Sequence, residues 1–276
     1  MTAATASAIE QVKLAEPAQP ARRKIDLWLL AGIFIAVGAV VAGIASAGIR
    51  IGNFFQPTGM LIVIGATLGV TLITTPRLAL YRAAKSAIAL LRPAPDNREA
   101  LMEEIVSLAR LGRSKGLFVI EPMIAALHHP FLRQCLQLAM DSRNRSELQM
   151  TLEMKVRQLE RQGETDARAF EVAGGFAPTI GVIGTVVGLM DVLRQFSNVS
   201  SVAAGTGTAF VSTIYGLGLA NLILLPSAQR MRAHVADQFD TNEMLVEGTL
   251  CVFDGVHPAV VRDRLRCFLR TKEERA

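Results

Sequence analysis

Apolar and polar positions are unevenly mixed along this chain, and four long runs carry no charge at all. The first is Leu27 to Ile49, preceded by Arg22, Arg23 and Lys24. The second is Ile51 to Thr75, followed by Pro76, Arg77 and Arg82. Val172 to Met190 is the third, set between Glu171 and Asp191; the fourth lies within 195–229, with its core near 203–225 and Arg230 and Arg232 beyond. A bilayer core is crossed by roughly 20 apolar residues at about 1.5 Å of helical rise each. Each run therefore predicts a spanning helix. The first is longer than the roughly 7–15-residue core of a cleaved signal peptide and begins late, so a retained helix is expected there.

Between the second and third runs the pattern changes. Segment 76–170 holds 26 of the 53 Asp, Glu, Lys and Arg residues. Within it, 100–111 has helical spacing, with Leu101, Ile105, Leu108 and Ala109 on one face and Glu103, Glu104 and Arg110 elsewhere. Gly112 and Gly116 are expected to break that helix. Segments 131–140 and 147–169 also predict helices. The predicted organisation is a disordered cytoplasmic leader (1–24), two spans (25–75), a helical cytoplasmic domain (76–170), two further spans (171–228) and a helical cytoplasmic tail (229–276). The fold class is all-α: a polytopic membrane protein with four transmembrane helices.

Composition agrees: 276 residues, 51% hydrophobic, 19% charged, mean hydropathy +0.35. These values exclude a disordered or collagen-like chain. The net charge of +5 reflects orientation and not nucleic-acid binding. Lys and Arg crowd the leader, the middle segment and the tail, while the short connections near 48–56 and 197–202 offer only Arg50. The positive-inside rule then puts both termini and the middle segment in the cytoplasm. Cys135, Cys251 and Cys267 form no CxxC pair, which predicts reduced thiols.

Small residues mark the runs: Gly65 and Gly69 in the second, Gly184 and Gly188 in the third, Gly205, Gly207, Gly216 and Gly218 in the fourth. Such spacing lets helices approach closely in lipid, and a packed bundle between chains is expected. The last two runs also carry hydroxyls at Thr179, Thr185, Thr206, Thr208, Ser212 and Thr213, and Thr206 and Thr213 share a face. Pro178 and Pro226 stand near their inner ends. The run interiors hold no Asp, Glu, Lys, Arg or His, although proton and sodium routes normally need such a group. Any ion-carrying acid must therefore come from a partner. No Walker A, nucleophile elbow, HExxH or GxGxxG occurs, and the adjacent His128 and His129 lack metal spacing. Neither enzyme activity nor a bound cofactor is expected.

The stretch 175–189 (GFAPTIGVIGTVVGL), with STIYG at 212–216 and ANLILLP at 220–226, resembles the MotA/TolQ/ExbB ion-channel family. Four spans, the segment 57–76 and Gly255-Val256-His257-Pro258 are similar to its flagellar stator branch. The resemblance implies a homo-oligomer, a ring of five such subunits in the bacterial inner membrane around a MotB-like single-span partner that supplies the ion-carrying Asp. It also implies ion flow that turns the ring against the rotor protein FliG. Carried over by position, the ion pathway falls on Thr185, Ser212 and Thr213, conformational coupling on Pro178 and Pro226, and the rotor contact on Arg113 and Glu121. Serine at 212, where family members carry alanine or threonine, leaves the ion open, with H⁺ favoured over Na⁺. The alternative within the family is a TolQ/ExbB-like energiser of outer-membrane or transport processes.

Overall fold

The computed structural model describes residues 27–48, 51–90, 97–127, 129–194 and 199–269. The expected leader (1–24), Arg50, His128, residues 195–198 and the end of the tail lie outside them. The described residues are helical, without strand. The helices are α1 (Leu27–Ser46), α2 (Pro57–Thr74), α3 (Arg77–Leu90), α4 (Arg98–Lys115), α5 (Glu121–Ile124), α6 (Pro130–Asp141), α7 (Arg145–Arg194), α8 (Val199–Gly218), α9 (Leu225–Phe253) and α10 (Pro258–Arg266). A π-helical stretch, Leu219–Leu224, joins α8 to α9. The chain divides into two compact units.

One unit combines 97–161 with 235–269. Its core is built as in a water-soluble domain: Ile105, Leu108, Leu132, Leu148, Met244 and Leu265 are at most 1% exposed. Arg98 opens α4 and is itself buried. Its guanidinium donates to Thr241 Oγ1 (2.9 Å), to the carbonyls of Phe268 (3.1 Å) and Asp237 (2.8 Å), and to the Asp237 carboxylate. A buried cation needs such a full set of acceptors. Gly112 does not break α4, contrary to the sequence expectation. A Cβ there would lie 3.0 Å from Ile120 Cδ1, so the glycine is kept for packing inside a continuing helix. Gly116 is the true stop. Its φ of +85° is a region other residues enter at a cost. His129 and His257 each cap a helix whose first residue is proline: Nδ1 accepts from Leu132 N (3.4 Å) and Ala259 N (3.3 Å). Cys135 and Cys251 are buried and unbridged, and burial pushes the Cys135 thiol up to about 12.

The other unit combines 27–90 with 162–234. Three stretches here begin or run as helices long and apolar enough to cross a bilayer: α2, α7 and the continuous Val202–Phe253. α1 is uncharged over its 20 residues. From α2 into α3 one stripe is buried at every fourth residue, Gly59, Val63, Thr67, Thr71, Thr75, Ala79 and Ala83, the spacing of one helix face. The sequence reading had not anticipated α3. α7 is a single 50-residue helix, so no break separates the charged stretch from the third apolar run at 170/171. The lower end of this unit is tied by ion pairs. Arg82 forks onto Asp166 (3.0–3.1 Å), and Arg232 reaches Glu171 (2.6 Å) and Glu164 (3.4 Å).

Candidate functional site

The hairpin of α7 and α8 closes on glycine. A Cβ on Gly188 would stand 2.6 Å from Ala209 N, and one on Gly216 would stand 2.6 Å from the Ala177 carbonyl oxygen. These approaches lie within one chain. Gly65 and Gly69 of α2, by contrast, face open space.

Close backbone contact brings two of the three sequence-selected pore residues together. Thr185 Oγ1 and Thr213 Oγ1 are 2.5 Å apart across the hairpin. Thr185 Oγ1 also lies 3.2 Å from the Gly181 carbonyl and 3.1 Å from the Ala209 carbonyl. A hydroxyl has one proton to give and two lone pairs. Hydrogen bonding is best served when Thr213 donates to Thr185 and Thr185 donates onward to a carbonyl. Thr213 then keeps a free lone pair on a half-buried side chain. Ser212, the third residue, is elsewhere. It is fully enclosed, donates to the Thr208 carbonyl (2.7 Å), and fits only because Gly59 and Gly184 lack side chains: a Cβ on either would stand 2.5 or 2.6 Å from it. Thr179 and Thr206 bond back to their own helix, at the Phe176 and Val202 carbonyls.

A polar cluster that sequence reasoning missed ties the 51–56 turn to α8. Tyr215 donates its hydroxyl to the Phe54 carbonyl and accepts from Gln56 N (3.3 Å), while Thr208 reaches Gln56 Oε1 (3.4 Å). The available signal was a tyrosine inside an apolar run, since a buried phenol seeks a partner. The π-helical stretch was missed as well. It lies immediately before Pro226, and Gly174, four residues before Pro178, meets its end: a Cβ there would be 2.8 Å from Leu225 Cδ2. Both prolines thus flank one close crossing of α7 with the irregular segment.

Arg113 and Glu121 sit on the other unit, on either side of the Gly116 stop. Both are exposed, and neither has an ion-pair partner among the described residues. Phe118 between them is 78% exposed, an apolar side chain left in water.

Comparison with known proteins follows this geometry. The chain is 26% identical over 253 residues to "Motility protein A" of Bacillus subtilis (strain 168), covering 90% of this chain and 93% of the relative. Its fold matches the flagellar MotAB stator complex from Bacillus subtilis with a TM-score of 0.79 and 26% identity, over 89% of this chain and 96% of the other. It also matches C. jejuni MotAB with a TM-score of 0.83 at 23% identity, over 91% and 99%. The family model described as motility protein A N-terminal matches residues 30–116, and the one described as MotA/TolQ/ExbB proton channel family matches 124–244. By its fold, by these two adjoining matches and by the hairpin they enclose, the chain belongs to the MotA/TolQ/ExbB proton channel family.

Proposed function

We propose that this chain is the A-type subunit of a flagellar motor stator, which converts ion-motive force into torque. The observation that carries the reading is the Thr185–Thr213 hydroxyl pair, set in an apolar hairpin whose run interiors offer no Asp, Glu, Lys, Arg or His. Such a wall can pass a cation only alongside an acid from elsewhere. In this reading a MotB-like single-span partner supplies that Asp, and relatives solved as MotAB complexes support it. The match to the motility protein A N-terminal model over 30–116 favours the stator over a TolQ/ExbB-like energiser.

The finer features belong to the same proposal. α1 joins α2, α7 and α8–α9 as a fourth span in the bacterial inner membrane, with both termini cytoplasmic. The segments 76–170 and 229–276 work in the cytoplasm, and five copies ring the partner. Arg113 and Glu121 meet the rotor protein FliG, while Pro178 and Pro226 relay motion across the crossing they flank. Protonation from outside neutralises the partner's carboxylate, which then rests against the Thr213 lone pair. Release inward restores its charge and moves the preferred ring position. Each proton crossing 100 mV supplies about 2.3 kcal/mol. H⁺ is the favoured ion, because a Na⁺ ion wants several oxygen ligands and the Ser212 hydroxyl is fully enclosed within the chain.

Thr213→Val keeps the shape and removes the lone pair. Swimming and ion flux should fall by about tenfold with assembly intact, the scale of losing a hydrogen bond to a charged or titrating group. Unchanged flux would overturn the assignment. Reversing the charges of Arg113 and Glu121 together should reduce torque more than ion conduction.

A further inference from the structure

The unit that carries Arg113 contains a cavity of about 490 Å³, within the size range of small-molecule sites. Its walls come from the last turns of α4 and the start of α10: Arg110, Arg113 and Ser114 on one side, His257, Pro258 and Arg262 on the other. Three arginines line one concavity, and among the described residues no carboxylate lines it. One carboxylate stands behind it. Glu103 holds Arg262 Nη2 at 2.6 Å, which offsets a single charge. Arg110 and Arg113 have no acidic partner among the described residues. Arg262 Nε is cut off from solvent without a hydrogen-bond partner among the described residues, a buried donor that costs free energy. The positive end of the nine-residue α10 adds to the same field. His257, which lines the cavity, caps that end by accepting from Ala259 N.

We infer that this cavity binds a small phosphorylated anion. Like charges gathered in one hollow repel, and a multiply charged oxyanion is what relieves them. Guanidinium forks match phosphate oxygens in pairs, and a helix N-terminus supplies amide donors to the same kind of ligand. A cavity this size accommodates more than one phosphate, which points to a diphosphate or a phosphate ester. The role of the Gly255-Val256-His257-Pro258 turn follows: it delivers the capped start of α10 to the arginines of α4. The inference stands whether or not Arg113 touches a rotor. Where it does, an occupied cavity would neutralise the side chain the rotor contact uses.

Calorimetric titration of the purified full-length chain with inorganic pyrophosphate, at fixed chloride ionic strength, tests it. One saturable site per chain is expected. Arg110→Gln and Arg113→Gln should each weaken binding about tenfold, with unchanged circular dichroism. Lys115→Gln, a neighbouring cation outside the cavity, should leave the affinity within about twofold. Absence of saturable binding to the unaltered chain overturns the inference. So does an equal loss in the Lys115 variant, which would indicate diffuse attraction, or equal binding of succinate, which would remove the preference for phosphate.

Discussion

The two units pack by opposite rules. In the unit of 97–161 and 235–269 the buried side chains are large: Ile105, Leu108, Leu132 and Leu136 are at most 2% exposed. In the unit of 27–90 and 162–234 small residues dominate the buried positions, among them Gly59, Ala83, Ala167, Gly181, Gly184, Gly188, Ala209 and Ser212, and the larger Val63, Ile180, Val211 and Met231 are the minority. Many of its bulky apolar residues point outward: Phe34 is 80% exposed, Ile73 84%, Leu193 74%. Water drives large apolar groups inward because hiding them is favourable by about 25 cal/mol per Å². Lipid removes that drive and leaves close contact and hydrogen bonds to hold helices together. The contrast is itself an argument for a membrane around the second unit.

The comparison can be broken first at its largest contrast. Leu132→Ala should destabilise the chain by about 2–5 kcal/mol, the cost of a core cavity, while Phe34→Ala should be close to neutral in detergent. Thermal unfolding of the two variants checks this, and a costly Phe34→Ala would mean that α1 buries its side chains. Next come the glycines. Gly188→Val pushes a side chain into the Ala209 backbone and should cost about 3 kcal/mol or more. Gly65→Ala, in open space within the chain, should gain up to about 1 kcal/mol from helix propensity. A matching loss at Gly65 would place a neighbour against it.

Smaller effects sharpen the picture. Burial lowers the pKa of His129 from its ordinary 6.5, so the folded state favours the neutral ring, whose Nδ1 accepts the Leu132 amide proton. A base with a depressed folded pKa contributes stability that is present above pH 6.5 and lost as pH falls through the folded value. His129→Asn should keep the cap, worth about 1 kcal/mol, and flatten the acid limb of a stability–pH curve. A limb that survives the substitution would assign it elsewhere. Smallest of all, Thr67 is 3% exposed and its hydroxyl has no partner. Thr67→Val keeps its shape and should be neutral or stabilising by under about 1 kcal/mol, read from the melting midpoint.

Helix class and the apolar runs were legible in the chain because they rest on composition and spacing, whereas Thr185 and Thr213 were selected through the family resemblance and their contact across two helices was not readable from spacing. Seven-residue and four-residue intervals fix which side chains share a helix face, whatever the tertiary context. Ser212 shows where that reasoning stops. Spacing put it beside Thr213, but the direction of its hydroxyl depends on two glycines 153 and 28 positions away, Gly59 and Gly184. Gly112 misled for a related reason. An interior glycine weakens a helix locally, and only the arrival of Ile120 explains why it stays. The caps at His129-Pro130 and His257-Pro258 were missed although a capping acceptor before proline is a local device, because histidine was weighed only as a metal ligand or loop residue. The ion pairs of Arg82 with Asp166 and Arg232 with Glu171 were not, because each joins segments 61 or more residues apart.

The π-helical stretch has a consequence for phase. Each added residue in a helix advances the azimuth by roughly 100°, so a wide turn at 219–224 re-aims everything that follows it. A helical wheel drawn continuously from Ser212 would point Arg232 away from the bearing it holds against Glu171. Excising one residue from that stretch would restore a regular spiral and swing the cation off its counter-charge, so the irregularity works as the indexing notch between the hydroxyl-bearing half of the rod and its charged half.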